Sequence, residues 1–225
     1  FSGGTGFLPQ QPDAARFVLL HAVITLLLSC AIGCYLVWKV GVGLLPLGFL
    51  GAFLVLSYTT VLNRSAWLCL IAPGVGFGGV IVLGAHYAMA GHLDNSVLMA
   101  SLVTFLLVNN LLLLNQFPDL EADRKSGRLH LLIRHGVNSG VWVYALSVLA
   151  VFCIIVVAVW LTIWPIWALL ALMPWMLSVF ALIGAGRFGV ELGAHLPFMA
   201  ANVVVTLTLP LVLGLVLILT ASSSY

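Results

Sequence analysis

Residues 96–136 read SVLMASLVTFLLVNNLLLLNQFPDLEADRKSGRLHLLIRHG, a long apolar run followed by a dense group of charges. The first 22 residues of this stretch, 96–117, contain no charged side chain. About 20 apolar residues in a helix are enough to cross the hydrocarbon core of a bilayer. The stretch therefore predicts a transmembrane helix that opens into a charged loop.

The rest of the 225-residue chain has the same apolar character. Hydrophobic residues make up 63% of the sequence and charged residues only 6%, whereas about 25% of a typical soluble domain is charged. A chain of this composition cannot cover itself with polar surface. We therefore predict an integral membrane protein whose surroundings are a lipid bilayer, and we expect no nucleic-acid partner.

Seven apolar stretches reach membrane-spanning length: 17–38, 44–62, 67–90, 96–117, 141–163, 165–186 and 197–221. These runs are too long, and alternate too little, for the strands of a transmembrane barrel. The prediction is an all-α bundle of seven transmembrane helices. It forms a single membrane-embedded domain over residues 1–225, with a charged loop at about 116–140.

The basic residues are distributed unevenly between the two sides of such a bundle. One side receives Lys39 alone, and the other receives seven residues, Arg16, Arg64, Arg124, Lys125, Arg128, Arg134 and Arg187. Loops rich in Lys and Arg stay in the cytoplasm. The asymmetry predicts that the charged loop is cytoplasmic and that His86, His92 and Asp94 lie toward the opposite side. We expect the membrane to be the inner membrane of a prokaryotic cell.

The charged loop contains three of the six acidic residues of the chain, and their spacing suggests a site for a cation. Pro118 ends the preceding helix and can begin a short new one. Asp119 and Asp123 are four residues apart, so they lie on one face of that helix. Mg²⁺ is commonly held by one or two carboxylates together with water and substrate phosphate oxygens. Gly127 is placed to end the turn.

Four basic residues follow the carboxylates and could contact phosphate oxygens; they are Arg124, Lys125, Arg128 and Arg134. Cytoplasmic loops are basic for reasons of orientation alone, so these four residues have an ordinary explanation as well. Orientation does not require the clustered carboxylates, which makes them the stronger indication of a metal and diphosphate site.

The segment NQFPDLEADRKSGRLHLLIRHG, residues 115–136, resembles the second aspartate-rich motif of the UbiA superfamily of intramembrane prenyltransferases. It is most similar to the branch that prenylates 1,4-dihydroxy-2-naphthoate in menaquinone synthesis. The matching positions are Asn115, Asp119, Glu121, Asp123, Arg124, Gly127, Leu131, Arg134 and Gly136, and Arg128 stands for a lysine. FSGGTG at the start resembles the segment after the first motif of that branch, and PFMAANVVVTLTLPL resembles its last span.

The resemblance implies a nine-span fold in which the second motif follows the sixth span. In this chain the motif follows the fourth predicted span. The seven predicted spans then correspond to spans three to nine, so spans one and two, and the first aspartate-rich motif that follows span two in the family, are missing from this chain. On this interpretation the 225-residue chain is incomplete at its N-terminus and does not catalyse alone.

The resemblance also implies an activity and a set of site residues. The activity is Mg²⁺-dependent transfer of a polyprenyl group from polyprenyl diphosphate to an aromatic acceptor like 1,4-dihydroxy-2-naphthoate, in quinone or related prenyl-lipid synthesis. Asp119 and Asp123 are the implied catalytic and metal-binding residues. The implied diphosphate contacts are Tyr58, Arg64, Asn115, Arg124, Lys125, Arg128 and Arg134.

Several positions depart from the branch pattern and leave alternatives open. Gln116, Pro118 and His130 replace an asparagine, an arginine and a threonine, and SYTTVLNR at 57–64 lacks the expected proline. Homogentisate, 4-hydroxybenzoate or a non-aromatic lipid remain possible acceptors. A non-catalytic relative or a transporter is the alternative class. A transporter predicts charged or broken helices at mid-membrane, and the predicted spans contain almost none, which makes it the weaker alternative.

Polar residues inside the predicted spans are costly in lipid and call for a role. Asn109, Asn110 and Asn202 are predicted to form hydrogen bonds between helices. His21 is predicted to be a packed, hydrogen-bonded histidine rather than a general base. His86 and His92 lie far from the proposed chemistry.

Overall fold

The computed structural model of the protein describes residues 10–58 and 60–222, with side chains up to residue 220. Residues 1–9, which include FSGGTG, lie outside this range. Nine α-helical elements occur in the described part: α1 Ala15–Val40, α2 Leu45–Ser57, α3 Ala66–Ala90, α4 Asn95–Asn115, α5 Leu120–Lys125, α6 Leu131–His135, α7 Val137–Trp160, α8 Leu172–Phe188 and α9 Leu196–Ser222. No β-strand occurs in residues 10–58 or 60–222. The prediction of an all-α fold is confirmed.

Within the described residues, six helices are long and apolar enough to cross a membrane: Pro12–Val40, Ala66–Ala90, Asn95–Asn115, Val137–Trp160, Ile166–Ala194 and Leu196–Thr220. They correspond to six of the seven predicted spans. A multi-span membrane bundle is therefore the architecture of this chain.

The second predicted span, 44–62, is shorter than expected. Its apolar helix covers Val42–Ser57, about 24 Å at 1.5 Å per residue, against the ~30 Å of a hydrocarbon core. The Ser57 hydroxyl donates to the Phe53 carbonyl, and the Thr60 hydroxyl donates to the Ser57 carbonyl at 3.5 Å. Such local side-chain bonds compete with the continuation of a helix. Counting apolar residues does not detect this interruption.

Helix α4 lies at the centre of the bundle, where it packs against α3, α7 and α9. A ring of hydrogen bonds joins three of these helices. The Tyr144 hydroxyl donates to Asn202 Oδ1 at 2.8 Å, the Asn202 amide donates to the Asn110 carbonyl at 3.3 Å, and the Asn110 amide donates to the Tyr144 carbonyl at 3.4 Å. The predicted interhelical role of Asn110 and Asn202 is confirmed.

Helix α3 contains Pro73 and continues as a π-helical segment over Val75–Leu83. Proline removes a backbone hydrogen bond from a helix interior, and the backbone of α3 is irregular from this point. The Gly74 N–H donates instead to the Asn109 side chain of α4 at 2.7 Å. Asn109 therefore stabilises the irregular part of α3, which confirms its predicted interhelical role.

Helix α1 has no buried residue, and His21 is exposed on it. The prediction that His21 is packed is therefore wrong for the described part of the chain. A polar residue in a span is buried only where another helix packs against it. The sequence of the span does not show which of its faces is packed in this way.

Close contact between α3 and α4 depends on Gly78. A Cβ atom built on Gly78 would lie 2.5 Å from the Ser101 carbonyl oxygen and 2.6 Å from the Phe105 nitrogen. We expect Gly78→Ala to reduce the free energy of unfolding by about 1–3 kcal/mol, because backbone atoms cannot move aside as a side chain can. Thermal unfolding of the purified protein in detergent measures this loss.

Gly79→Ala is the matched control for that substitution. A Cβ atom at Gly79 would lie 3.7 Å from the nearest Val75 methyl carbon, which is an ordinary contact. We expect a change smaller than about 0.5 kcal/mol there. Equal losses in the two variants would show that a general effect of alanine, and not helix contact, causes the destabilisation.

Candidate metal and diphosphate site

The charged loop is attached to the bundle by buried leucines. Leu120, Leu131 and Leu132 belong to one core cluster together with Phe117 and Leu114 at the end of α4. The polar residues between these leucines are thereby held against the end of the bundle. This attachment is the reason a loop rich in charge has a defined conformation.

The two carboxylates predicted to bind metal lie one helical turn apart. Helix α5 begins at Leu120, two residues later than the predicted start at Pro118, and Asp119 is its N-cap residue. The Asp123 N–H donates to the Asp119 carbonyl at 2.8 Å. The Asp119 side chain makes no capping hydrogen bond, so this carboxylate does not have the stabilising role that is usual at its position.

Helix α5 ends in a Schellman turn at Gly127, which has φ +79°. The Arg128 N–H donates to the Asp123 carbonyl at 3.1 Å, and the Gly127 N–H donates to the Arg124 carbonyl at 3.2 Å. A positive φ at this position favours glycine, as the sequence predicts. The turn brings Arg128 back to the carboxylates, where its Nη1 donates to Asp123 Oδ1 at 3.1 Å.

Asp123 is buried between Arg128 and His130. Its Oδ2 lies 3.3 Å from His130 Nε2, close enough for an ion pair but without the geometry of a hydrogen bond. Burial lowers the pKa of His130 below its usual value, although Asp123 acts in the opposite direction. The imidazole is therefore neutral near pH 7, and Arg128 is the cation that balances Asp123 within this cluster.

Asp119 has unused capacity to bind a cation. Its Oδ1 is buried and has no hydrogen-bond partner in the described structure. Burial raises the pKa of the Asp119 carboxyl, and the Asp123 carboxylate raises it further. A cation placed between these two groups would relieve both the desolvation and the repulsion.

These residues open on a cavity of about 390 Å³ at the end of the bundle, which lies within the size range of small-molecule sites. The cavity is lined by Tyr58, Cys69, Leu112, Asn115, Gln116, Asp119, Asp123, Arg128 and His130. The residues come from the end of α2, from α3 and α4, and from the charged loop.

The structure brings together five of the nine residues predicted for the site. Tyr58, Asn115, Asp119, Asp123 and Arg128 line the cavity. The other four are exposed and lie outside its lining: Arg64, Arg124, Lys125 and Arg134. Within the charged loop, Arg124 forms an ion pair with Glu121 at 3.0 Å.

The loop that contains Arg64 nevertheless runs beside the charged loop. The Leu129 N–H donates to the Asn63 carbonyl at 3.3 Å. Arg64 therefore lies on the same end of the bundle as the cavity, as the alternation of spans predicts.

Four residues that line the cavity were not among the predicted site residues: Cys69, Leu112, Gln116 and His130. Gln116 and His130 stand at positions where the sequence departs from the branch pattern. That departure is the only feature of the sequence that could have indicated their place in the site. The Gln116 amide nitrogen lies 4.0 Å from Cys69 Sγ, and its Oε1 is buried without a hydrogen-bond partner among the described residues. Nothing in the sequence around Cys69 indicates its position.

The donor atoms at the cavity suit a hard divalent cation. Asp119 Oδ1 and Gln116 Oε1 are oxygens without a partner in the described part of the chain, and the Asp123 carboxylate lies beside them in the same lining. Mg²⁺ prefers oxygen ligands and retains several waters. The residues present therefore fit a hard divalent cation such as Mg²⁺.

The fold and this cavity define a class of protein, a multi-span helical membrane protein with paired carboxylates at one end of the bundle. Residues 14–187, more than three quarters of the chain, match the UbiA prenyltransferase family, and the chain belongs to that family. Its members are membrane prenyltransferases that act on prenyl diphosphates and aromatic substrates and generally use a divalent metal. Comparisons of the chain with curated proteins and with solved structures found no match.

Proposed function

We propose that the protein transfers a polyprenyl group from polyprenyl diphosphate to an aromatic acceptor of the 1,4-dihydroxy-2-naphthoate type, with Mg²⁺, in quinone biosynthesis. The observation that carries the proposal is the cavity in which Asp119 and Asp123 lie beside Arg128. Membership of the family supports the reaction class, and the similarity of residues 115–136 to one branch supports the acceptor.

In the proposed reaction, the bond between the allylic carbon and the diphosphate oxygen breaks and the diphosphate keeps the electron pair. An electron-rich ring carbon of the acceptor attacks the allylic cation and forms a C–C bond. The ring then regains its aromaticity by releasing a proton. Bound Mg²⁺ supplies charge stabilisation to the departing diphosphate.

The residues of the cavity have separate roles in this proposal. Asp119 and Asp123 hold the metal, and Arg128 donates hydrogen bonds to the diphosphate. Tyr58 and Asn115 orient the bound diphosphate. Burial raises the pKa of the Tyr58 hydroxyl, so it remains a neutral donor near pH 7.

The exposed basic residues have a different role, because they lie outside the lining of the cavity. Arg64, Arg124, Lys125 and Arg134 attract the anionic diphosphate to the end of the bundle before it enters. We further propose that this end faces the cytoplasm of a prokaryotic cell. The uneven distribution of Lys and Arg supports that orientation.

A panel of acceptors tests the proposed substrate. Membranes from cells that express the native-length protein receive a polyprenyl diphosphate and one acceptor at a time: 1,4-dihydroxy-2-naphthoate, homogentisate or 4-hydroxybenzoate. We expect Mg²⁺-dependent prenylation of the naphthoate at a rate well above that of the others. Preference for another acceptor would overturn the assignment to this branch and leave the prenyl transfer intact.

A further inference from the structure

The turn between α3 and α4, at the opposite end of the bundle from the cavity, brings together three side chains able to bind a metal. His86 lies near the end of α3, His92 lies in the turn, and Asp94 is the N-cap residue of α4. Gly91, with φ +75°, ends α3 and reverses the chain. One nitrogen of each imidazole and one oxygen of Asp94 all lie within 4.8 Å of one another.

The His86 imidazole is in an unusual position for a structural histidine. Its Nε2 is buried and forms no hydrogen bond within the described residues. Asp94 Oδ2 lies 3.4 Å away, within the range of an ion pair but not in the direction of a hydrogen bond. An imidazole nitrogen and a carboxylate oxygen that face one another without a hydrogen bond can both coordinate one cation.

The other polar atoms of the cluster are held by the backbone. Asp94 Oδ1 accepts a hydrogen bond from the Val97 N–H at 2.9 Å, which leaves Oδ2 available. His92 Nδ1 lies 3.0 Å from the Ala90 carbonyl oxygen. When Nδ1 carries the proton and donates it to that carbonyl, His92 Nε2 has a free lone pair. Metal-binding histidines and carboxylates are commonly oriented by such second contacts.

We propose that His86, His92 and Asp94 form a binding site for a divalent transition-metal ion, for which Zn²⁺ is the probe. Two imidazoles and one carboxylate suit Zn²⁺, and three protein ligands in a tetrahedral site leave one position for water. Ligand atoms in a tetrahedral zinc site lie roughly 3.3 Å apart, given a Zn–N distance of ~2.0 Å. The ligand atoms of the cluster, all within 4.8 Å of one another, approach this spacing.

This site is separate from the proposed magnesium site in both position and chemistry. Helix α4, with 21 residues, separates the two ends of the bundle by about 30 Å. Nitrogen ligands favour zinc over magnesium. A bound ion would join the end of α3 to the start of α4, and it would stabilise the irregular helix that begins after Pro73.

Zinc binding to the purified chain in detergent tests the proposal. The titration uses a competing chromophoric chelator, with millimolar Mg²⁺ present to occupy the carboxylates of the cavity. We expect one Zn²⁺ per chain in the wild type, and an affinity at least about 10-fold lower in His86→Ala and in His92→Ala. His195→Ala is the matched control, because His195 stacks on Phe188 outside the cluster, and its zinc affinity should be unchanged.

Asp94→Asn separates a ligand role from a capping role. Asparagine caps a helix as well as aspartate does, so the fold is retained while the carboxylate ligand is lost. We expect weaker zinc binding and loss of the visible absorption bands of Co²⁺ bound in a tetrahedral site. Equal zinc affinity in the wild type and a His86→Ala/His92→Ala double variant would overturn the proposal. Absence of zinc binding to the wild type would overturn it too, and the cluster would then be an ion pair only.

Discussion

Asp119→Asn is expected to reduce the Mg²⁺-dependent affinity of the protein for pyrophosphate by about 100-fold or more. The substitution removes one of two carboxylates proposed to hold the metal, and an amide is a much weaker ligand for a hard cation. Isothermal titration of pyrophosphate, with and without Mg²⁺, measures the change. The unfolding temperature should stay the same or rise, because this side chain makes no capping bond and its charge is desolvated beside Asp123.

Glu121→Gln is the control for that experiment. Glu121 lies in the same short helix, is exposed, and pairs with Arg124 at 3.0 Å. Exposed pairs of this kind contribute at most about 1 kcal/mol, and Glu121 does not line the cavity. A wild-type affinity in Asp119→Asn, or an equal loss in Glu121→Gln, would contradict the assignment of the metal site to Asp119.

Arg128→Gln is expected to weaken pyrophosphate binding by about 10- to 100-fold, which is the contribution of a hydrogen bond to a charged group. The same variant should bind Mg²⁺ alone at least as tightly as the wild type. Arg128 balances the buried Asp123 carboxylate at 3.1 Å, so its removal leaves more negative charge for the metal. Opposite responses to the two ligands would distinguish a diphosphate contact from a general loss of folding.

Lys125→Gln is the matched control for Arg128. Lys125 also lies in the charged loop and is exposed, as Arg128 is, but it lies outside the cavity lining. Its contribution to capture of the anion is screened by salt, so the expected loss is less than about threefold. A greater loss in Lys125→Gln than in Arg128→Gln would contradict the proposed geometry of the site.

Hydropathy was sufficient to predict most of the fold, because a membrane span is a property of a continuous stretch of sequence. The exception is α2, which ends at Ser57 although the predicted span extends to Leu62. Its end depends on hydrogen bonds of hydroxyl groups to nearby carbonyls, which a count of apolar residues does not include. The exposure of His21 depends on which helices pack together, and that is a tertiary property.

The candidate site was partly predictable for a similar reason. The spacing of Asp119 and Asp123 is local, and it places them one turn apart in the structure as expected. Arg128 lines the cavity, whereas the other basic residues of the charged loop do not. The sequence does not indicate which of them does so, because the backbone turn at Gly127 directs Arg128 toward the carboxylates. Cys69 reaches the cavity from a different helix, so no pattern within the charged loop can indicate it.

Formation of prenylated aromatic product in membranes that contain the protein directly tests the proposed activity and the role of the paired carboxylates. Polyprenyl diphosphate and 1,4-dihydroxy-2-naphthoate are supplied with Mg²⁺, and the product is quantified in the lipid extract. We expect product in the wild type and in Glu121→Gln, and loss of product with EDTA or in Asp123→Asn. Product at the wild-type rate in a folded Asp123→Asn protein would contradict the proposed role of the carboxylates.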